Sequence, residues 1–254
     1  MSAARENILG KLRSALARPD LRFPPHNAEP LTPATRMTVT AASGGKLALA
    51  RRFGDELQTL HGDFEIVESP AEARMALITR LQGWIAAEAQ NAKGLRLGVG
   101  YERQILSWHP DALPIPGLAE ALQDLDLALV TPRELRSPES REAVRYIRYG
   151  LTGVEAAFAS TGSMLVASGE QTMRSASLLP IRHIALIPFA SLYPTMEDWL
   201  RQRRADESLA DYLRNHANVV MISGPSKSAD IEMNLTLGVH GPRYVYAILF
   251  GKEP

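Results

Sequence analysis

The sequence predicts an α/β protein: an open, mostly parallel sheet with helices on both faces and an N-terminal helical arm. Three observations predict it. Helical and strand-like patterns alternate from Thr38 onward. A proline-rich stretch separates that alternation from an amphipathic segment at the N-terminus. The chain has 254 residues and no cysteine, so it is long enough to bury a core and must do so without disulfides.

The elements follow in order. Ala3 to Ala17 reads as a helix, with Ile8, Leu9, Leu12 and Leu16 on one stripe and Arg5, Glu6, Lys11 and Arg13 off it. Pro19, Pro24, Pro25, Pro30 and Pro33 then exclude regular structure. The chain thus divides into an arm (1–18), a linker (19–36) and an α/β domain (37–254). An arm with an apolar stripe must pack somewhere, on its own body or on a second copy, so a homo-oligomer is one possibility.

Within the body, Lys46 to Leu60 reads as helix and Phe64 to Val67 as a short strand. Pro70 to Gln90 reads as a long helix, with Pro70 in the first turn, where its missing N–H is harmless. Leu95 to Val99 and Asp126 to Val130 read as strands, and Pro138 to Tyr149 as a helix. Val154 to Ala159 and Met164 to Ala167 read as strands joined by the turn Ser160-Thr161-Gly162-Ser163. His183 to Ile187 is strand-like. Met196 to Arg214 is helical with Thr195 as its cap, and Val219 to Ile222 and Tyr244 to Phe250 complete the strands.

Composition narrows the function. The 28 basic residues balance 28 acidic ones, so no nucleic-acid footprint is expected. Arg201, Arg203 and Arg204 are flanked by Glu197, Asp198, Asp206 and Glu207, which reads as a solvated helix face. The absence of cysteine excludes thiolate zinc sites, a cysteine nucleophile and an ordinary iron–sulfur cluster on this chain. No apolar run approaches the ~18 residues of a membrane span, and the N-terminus lacks a secretory core. A cytoplasmic location is expected.

Three polar, glycine-bearing segments carry the candidate chemistry. The first is Ser223 to Glu232, after a buried-looking strand. Ser228 is placed to cap a short helix from about Ala229, which would offer free N–H groups to an anion, with Gly224, Ser226 and Lys227 beside it. Asp230 and Glu232 in the same turn oppose a pure phosphate site, and the plainer reading is a capped turn. The second is Gly238 to Arg243, where Gly241 frees the backbone beside His240. Paired with Asp230, His240 is suited to proton transfer; a structural loop histidine is the plainer alternative. The third is Gly153 to Ser163. If alternation holds, Glu155 shares a face with Ala157 and Ala159, and Thr161, Gly162 and Ser163 form a turn able to donate to an anion. A polar hairpin turn is the plainer reading.

Other motifs fail. Gly98-Val99-Gly100 meets Arg103 where a dinucleotide fingerprint needs glycine. Gly44-Gly45-Lys46 is not a phosphate-binding loop. There is no His-Glu-x-x-His, no metal-like histidine spacing and no Gly-x-Ser-x-Gly elbow.

Together, Gly153 to Ala167, the Gly-Pro-Ser-Lys-Ser-Ala-Asp-Ile-Glu run and the Gly-Val-His-Gly-Pro-Arg run resemble the lactate utilization protein C (YkgG-type, LUD-domain) family. The leading helix and proline linker resemble it too. The resemblance implies a fold similar to the NagB/RpiA/CoA-transferase superfamily, whose members bind anions at strand ends. It also implies a subunit of an L-lactate-oxidising complex beside iron–sulfur partner subunits, with the clusters in those partners and no cofactor certain in this chain. The family pattern has an acid just before the Thr-Gly turn. Ser160 stands there, leaving Glu155 as that segment's acid.

The expected site then has His240 with Asp230 or Glu232 handling protons and Glu155 as a further catalytic candidate. Thr161, Gly162, Ser163, Gly224, Ser226, Lys227, Ser228, Gly241 and Arg243 would surround a small anionic substrate. No metal is expected. Two rival readings stand beside this one: a stand-alone CoA-ester or sugar-phosphate transferase or isomerase with Glu155 as nucleophile, and a non-catalytic assembly subunit.

Overall fold

The computed structural model describes residues 3–17, 42–91, 101–132, 135–229 and 235–252. The chain forms two units, Met1–Val39 and Thr40–Pro254. In the first, helix α1 spans Ala3–Leu16 and exposes Ile8 and Leu12 of its apolar stripe. The predicted linker and the strand expected at Leu95 to Val99 lie outside the described residues.

The second unit is built on a six-stranded parallel sheet ordered β1-β12-β7-β4-β2-β3. These strands are β1 (Asp63–Val67), β2 (Gln104–Ser107), β3 (Ala128–Val130), β4 (Tyr149–Thr152), β7 (Arg182–Pro188) and β12 (Tyr244–Phe250). β4, β7 and β12 are buried along nearly their whole length because both their faces are covered. Helix α2 (Lys46–Thr59) buries Leu49, Phe53 and Leu57, spaced four apart on one stripe. Its Gly54 lets the Phe64 ring of β1 lie where a Cβ would stand. Helix α3 (Pro70–Asn91) covers the opposite face. There Arg80 stacks over Tyr246, and Glu88 accepts from the Tyr149 hydroxyl at 3.0 Å and pairs with Arg182 at 2.9 Å. Burial first, and then the Glu88 carboxylate, pushes the Tyr149 phenol well above its usual value, so it stays protonated and donates.

A second sheet of four strands, ordered β8-β5-β6-β9, packs on the first. Its strands are β5 (Ala156–Phe158), β6 (Ser163–Ser168), β8 (Leu192–Tyr193) and β9 (Asn218–Ile222). Alternation divides it cleanly. Ala157, Ala159, Met164 and Val166 enter the main core. Ala156, Phe158, Leu165 and Ala167 face a smaller core with Trp199 and Tyr212.

Four expectations need correction. The helix expected over Pro138 to Tyr149 is a short α5 (Pro138–Glu142), because Tyr149 is drawn into the sheet opposite Arg182. Between β6 and β7 lies α6 (Ser175–Leu178). The helix expected over Met196 to Arg214 is broken into α7 (Met196–Ala205) and α8 (Leu209–Asn215), with Glu207 at φ 52° between them. β9 belongs to the second sheet, antiparallel to β6, not to the parallel sheet. The helix expected from Ala229 is instead β10 (Lys227–Ala229), paired antiparallel with β11 (Leu235–Leu237). The remaining helix, α4 (Leu118–Gln123), precedes β3.

Candidate functional site

The three predicted segments are stitched together by hydrogen bonds. The first stitch joins Ser163, the opening residue of β6, to Ser223, just past the end of β9. Their hydroxyls lie 2.8 Å apart. The antiparallel β6–β9 ladder, in register through Met164 opposite Ile222, brings them face to face.

The second stitch is Ser226. Its N–H donates to the Pro242 carbonyl at 2.9 Å, and its carbonyl accepts from the Gly238 N–H at 2.8 Å. Its hydroxyl accepts from the His240 N–H at 3.3 Å. One serine thus fixes the whole Gly238 to Pro242 loop. This pairing also explains why no helix begins at Ala229: the backbone from Ser226 onward is already committed to a ladder with its own return strand.

Two glycines seat these loops on the last turn of α2. Gly162 has φ 60°, and a Cβ there would lie 2.5 Å from the Leu57 nitrogen. Gly224 has φ 78°, and a Cβ there would lie 2.8 Å from the Leu60 carbonyl oxygen. Both positions need a left-handed backbone and close approach to main chain, which only glycine supplies without strain.

A cavity of about 280 Å³ opens beside the stitched loops. Ser223, Gly224, Ser226, His240 and Gly241 line it, with Met221 and Val245 among its apolar walls. Arg174, just before α6, and Ser177, within it, complete the polar lining. The sequence reading did not single out Arg174 or Ser177, and it named Ser223 only as the start of its segment. Among the described residues, neither the Arg174 guanidinium nor the His240 imidazole has a bonded partner, and both residues are exposed. A carboxylate fits this set: a guanidinium to neutralise it, hydroxyls to orient it, and an imidazole to exchange a proton with an adjacent hydroxyl.

The other predicted residues take different places. Thr161 is half-buried at the hairpin turn on α2 and does not line the cavity. Lys227 and Ser228 lie on β10, opposite Leu237 and Thr236. Arg243 packs against Gly238 and over the Tyr244 ring. Asp230 and Glu232 lie outside the described residues. Glu155 sits in a bend before β5, so alternation does not carry it to the Ala157 face. It lies 4.0 Å from Arg203 of α7, beside Tyr212 in the outer layer. Among the described residues, no group of three or more histidine, aspartate or glutamate side chains can hold a metal.

The cavity lies at the amino edge of the parallel sheet. Its loop leads into Tyr244 of β12, and both Arg243 and Tyr244 donate their N–H groups to the Ile181 carbonyl just before β7. The sequence-based reasoning placed the site at strand carboxyl ends. That holds for β9, but β9 runs in the second sheet.

Comparison with known proteins agrees with the architecture. The LUD domain model matches residues 50–250. Lactate utilization protein C of Halalkalibacterium halodurans is 34% identical over 140 residues, covering 55% of this chain and 59% of that protein. The match therefore spans little more than half of that relative. Lactate utilization protein C of Shouchella clausii is 30% identical over 178 residues, covering 70% of this chain and 76% of that protein. The crystal structure of a DUF162 family protein from Deinococcus radiodurans superposes with a TM-score of 0.52 at 19% identity, covering 82% of this chain and all of that one, a likeness of fold. With the family model matching from within α2 to the last residue of β12, the chain belongs to the LUD domain family.

Proposed function

We propose that this protein serves lactate utilisation as a subunit of an L-lactate-oxidising assembly, and that the cavity beside His240 binds the 2-hydroxy acid. The observation that carries this reading is the convergence of Arg174, Ser223, Ser226 and His240 on one small cavity. The relatives named lactate utilization protein C support the substrate class.

Arg174 meets the substrate carboxylate, and the Ser223 and Ser226 hydroxyls orient it. His240 accepts the proton of the 2-hydroxyl as that oxygen becomes a carbonyl. The hydrogen on C2 leaves with its electron pair to a two-electron acceptor on a partner protein. This chain has no cysteine, and its described residues offer no cluster of other ligands, so they do not fit an iron–sulfur cluster. Iron–sulfur partner subunits are the proposed destination of the electrons. Glu155, turned toward Arg203, supplies no nucleophile to the cavity, which disfavours acyl transfer.

The test is coexpression with candidate iron–sulfur partners, followed by pull-down and lactate-dependent dye reduction. A stable complex that reduces dye only with lactate is the expected result. No complex and no activity in any combination overturns the reading.

A further inference from the structure

A second cavity, of about 480 Å³, lies at the opposite end of β12 and plays no part in the function proposed above. Val245 borders the first cavity and Gly251 the second, six residues along one strand, or about 20 Å at ~3.3 Å per residue. Here the carboxyl ends of three neighbouring parallel strands, β1, β12 and β7, finish side by side at Val67, Phe250 and Pro188. That is where open α/β sheets usually present binding crevices.

The lining has two parts. Leu47, Ile66, Val67 and Phe189 make an apolar wall. Arg51 of α2 and Lys252, just past β12, bring two positive charges to it. Neither cation is ion-paired or hydrogen-bonded to a carboxylate among the described residues. The exposed Glu68 is the single acid in the lining. Two like charges from different elements share one cavity beside an apolar wall. A bound dianion with an apolar body would relieve their repulsion and cover that wall.

We infer that this cavity binds an organic phosphate monoester, its phosphate held between Arg51 and Lys252 and its organic body lying on Phe189 and Ile66. A guanidinium fork takes two phosphate oxygens in parallel, and an ammonium neutralises the remaining charge. Glu68 accepts from hydroxyl groups of the ligand. The volume falls within the ~300–1,000 Å³ of ordinary small-molecule sites.

Isothermal titration of the full chain with phenyl phosphate, AMP and inorganic phosphate tests this. Saturable one-to-one binding of phenyl phosphate or AMP is expected, tighter than that of inorganic phosphate. Arg51→Ala and Lys252→Ala should each weaken it about tenfold or more, since each removes a charge-assisted contact to the phosphate, and Arg51 the larger, two-pronged one. His240→Gln, at the far end of β12, should leave it unchanged, so failure here is distinct from failure of the lactate reading. Absence of saturable binding by both organic phosphates overturns the inference. So does undiminished binding in the Arg51→Ala/Lys252→Ala double variant, or inorganic phosphate binding as tightly as the esters.

Discussion

The hydroxyls of Ser163 and Ser223 meet at 2.8 Å across the mouth of the β6–β9 ladder, joining two loops that are 60 residues apart in sequence. This bond holds the Thr-Gly-Ser turn to the Ser-Gly-Pro-Ser loop.

Removing either hydroxyl should cost about 1 kcal/mol of stability, the net worth of a typical hydrogen bond. Ser163→Ala and Ser223→Ala should be non-additive, with the double variant little worse than either single one. Urea unfolding of all four proteins gives the coupling. Simple additivity would show that the two loops are held independently.

Gly162→Ala should destabilise by about 2–4 kcal/mol, because it combines positive-φ strain with a clash against the main chain of α2. Gly83→Ala makes the useful contrast. Gly83 lies inside α3, and a Cβ there meets nothing within 4 Å. That substitution should stabilise by about 0.5–1 kcal/mol through helix propensity. Thermal unfolding of the two variants should move in opposite directions.

In the reconstituted assembly, His240→Gln should lower kcat for lactate by about 10²–10⁴-fold, the usual contribution of a general base. Arg174→Ala should act chiefly on KM, raising it about tenfold or more, with partial recovery in Arg174→Lys. Steady-state dye reduction separates the two. Equal effects of both variants on kcat and none on KM would contradict the assigned roles.

His183 sets a pH dependence. It is fully buried in β7, with Nε2 2.9 Å from the Thr152 hydroxyl, and burial pushes its pKa down to about 4. The unfolded chain takes up this proton as pH falls below ~6.5, whereas the folded chain resists until about 4. The contribution of this residue is therefore complete above pH ~6.5 and is lost as pH falls toward 4, a change of about 3 kcal/mol. Urea midpoints between pH 7 and 4 should fall for the native chain, and His183→Gln should flatten that slope. An unaltered slope would place the acid sensitivity elsewhere.

Much of the architecture was legible because it rests on local signals. The stripe Leu49, Phe53, Leu57 marks α2, and Thr195 caps α7 with its hydroxyl accepting from the Asp198 N–H. The Thr-Gly-Ser turn joins β5 to β6 as its spacing predicts. What failed rests on long-range pairing. Ser228 carries a cap signature, but Ser226 commits that backbone to its return strand. Tyr149 looks helical until the parallel ladder with Arg182 claims it. In the site, the Ser226 and His240 loops were recognisable as polar, glycine-bearing segments. Arg174 was not, because it reaches the cavity only through the way β9 folds back beside β6, a juxtaposition no local pattern encodes.

The last turn of α2 contributes no polar side chain to the first cavity, yet both positive-φ glycines rest on its main chain. The functional footprint of this protein therefore extends to a helix end that acts through its main chain alone. A survey of variants would find the exposed Gln58 and Thr59 tolerant of side-chain changes that keep the helix, and the whole turn intolerant of proline or insertions that move its backbone. Such lesions would misplace two loops at once while leaving every polar residue of the cavity in the chain.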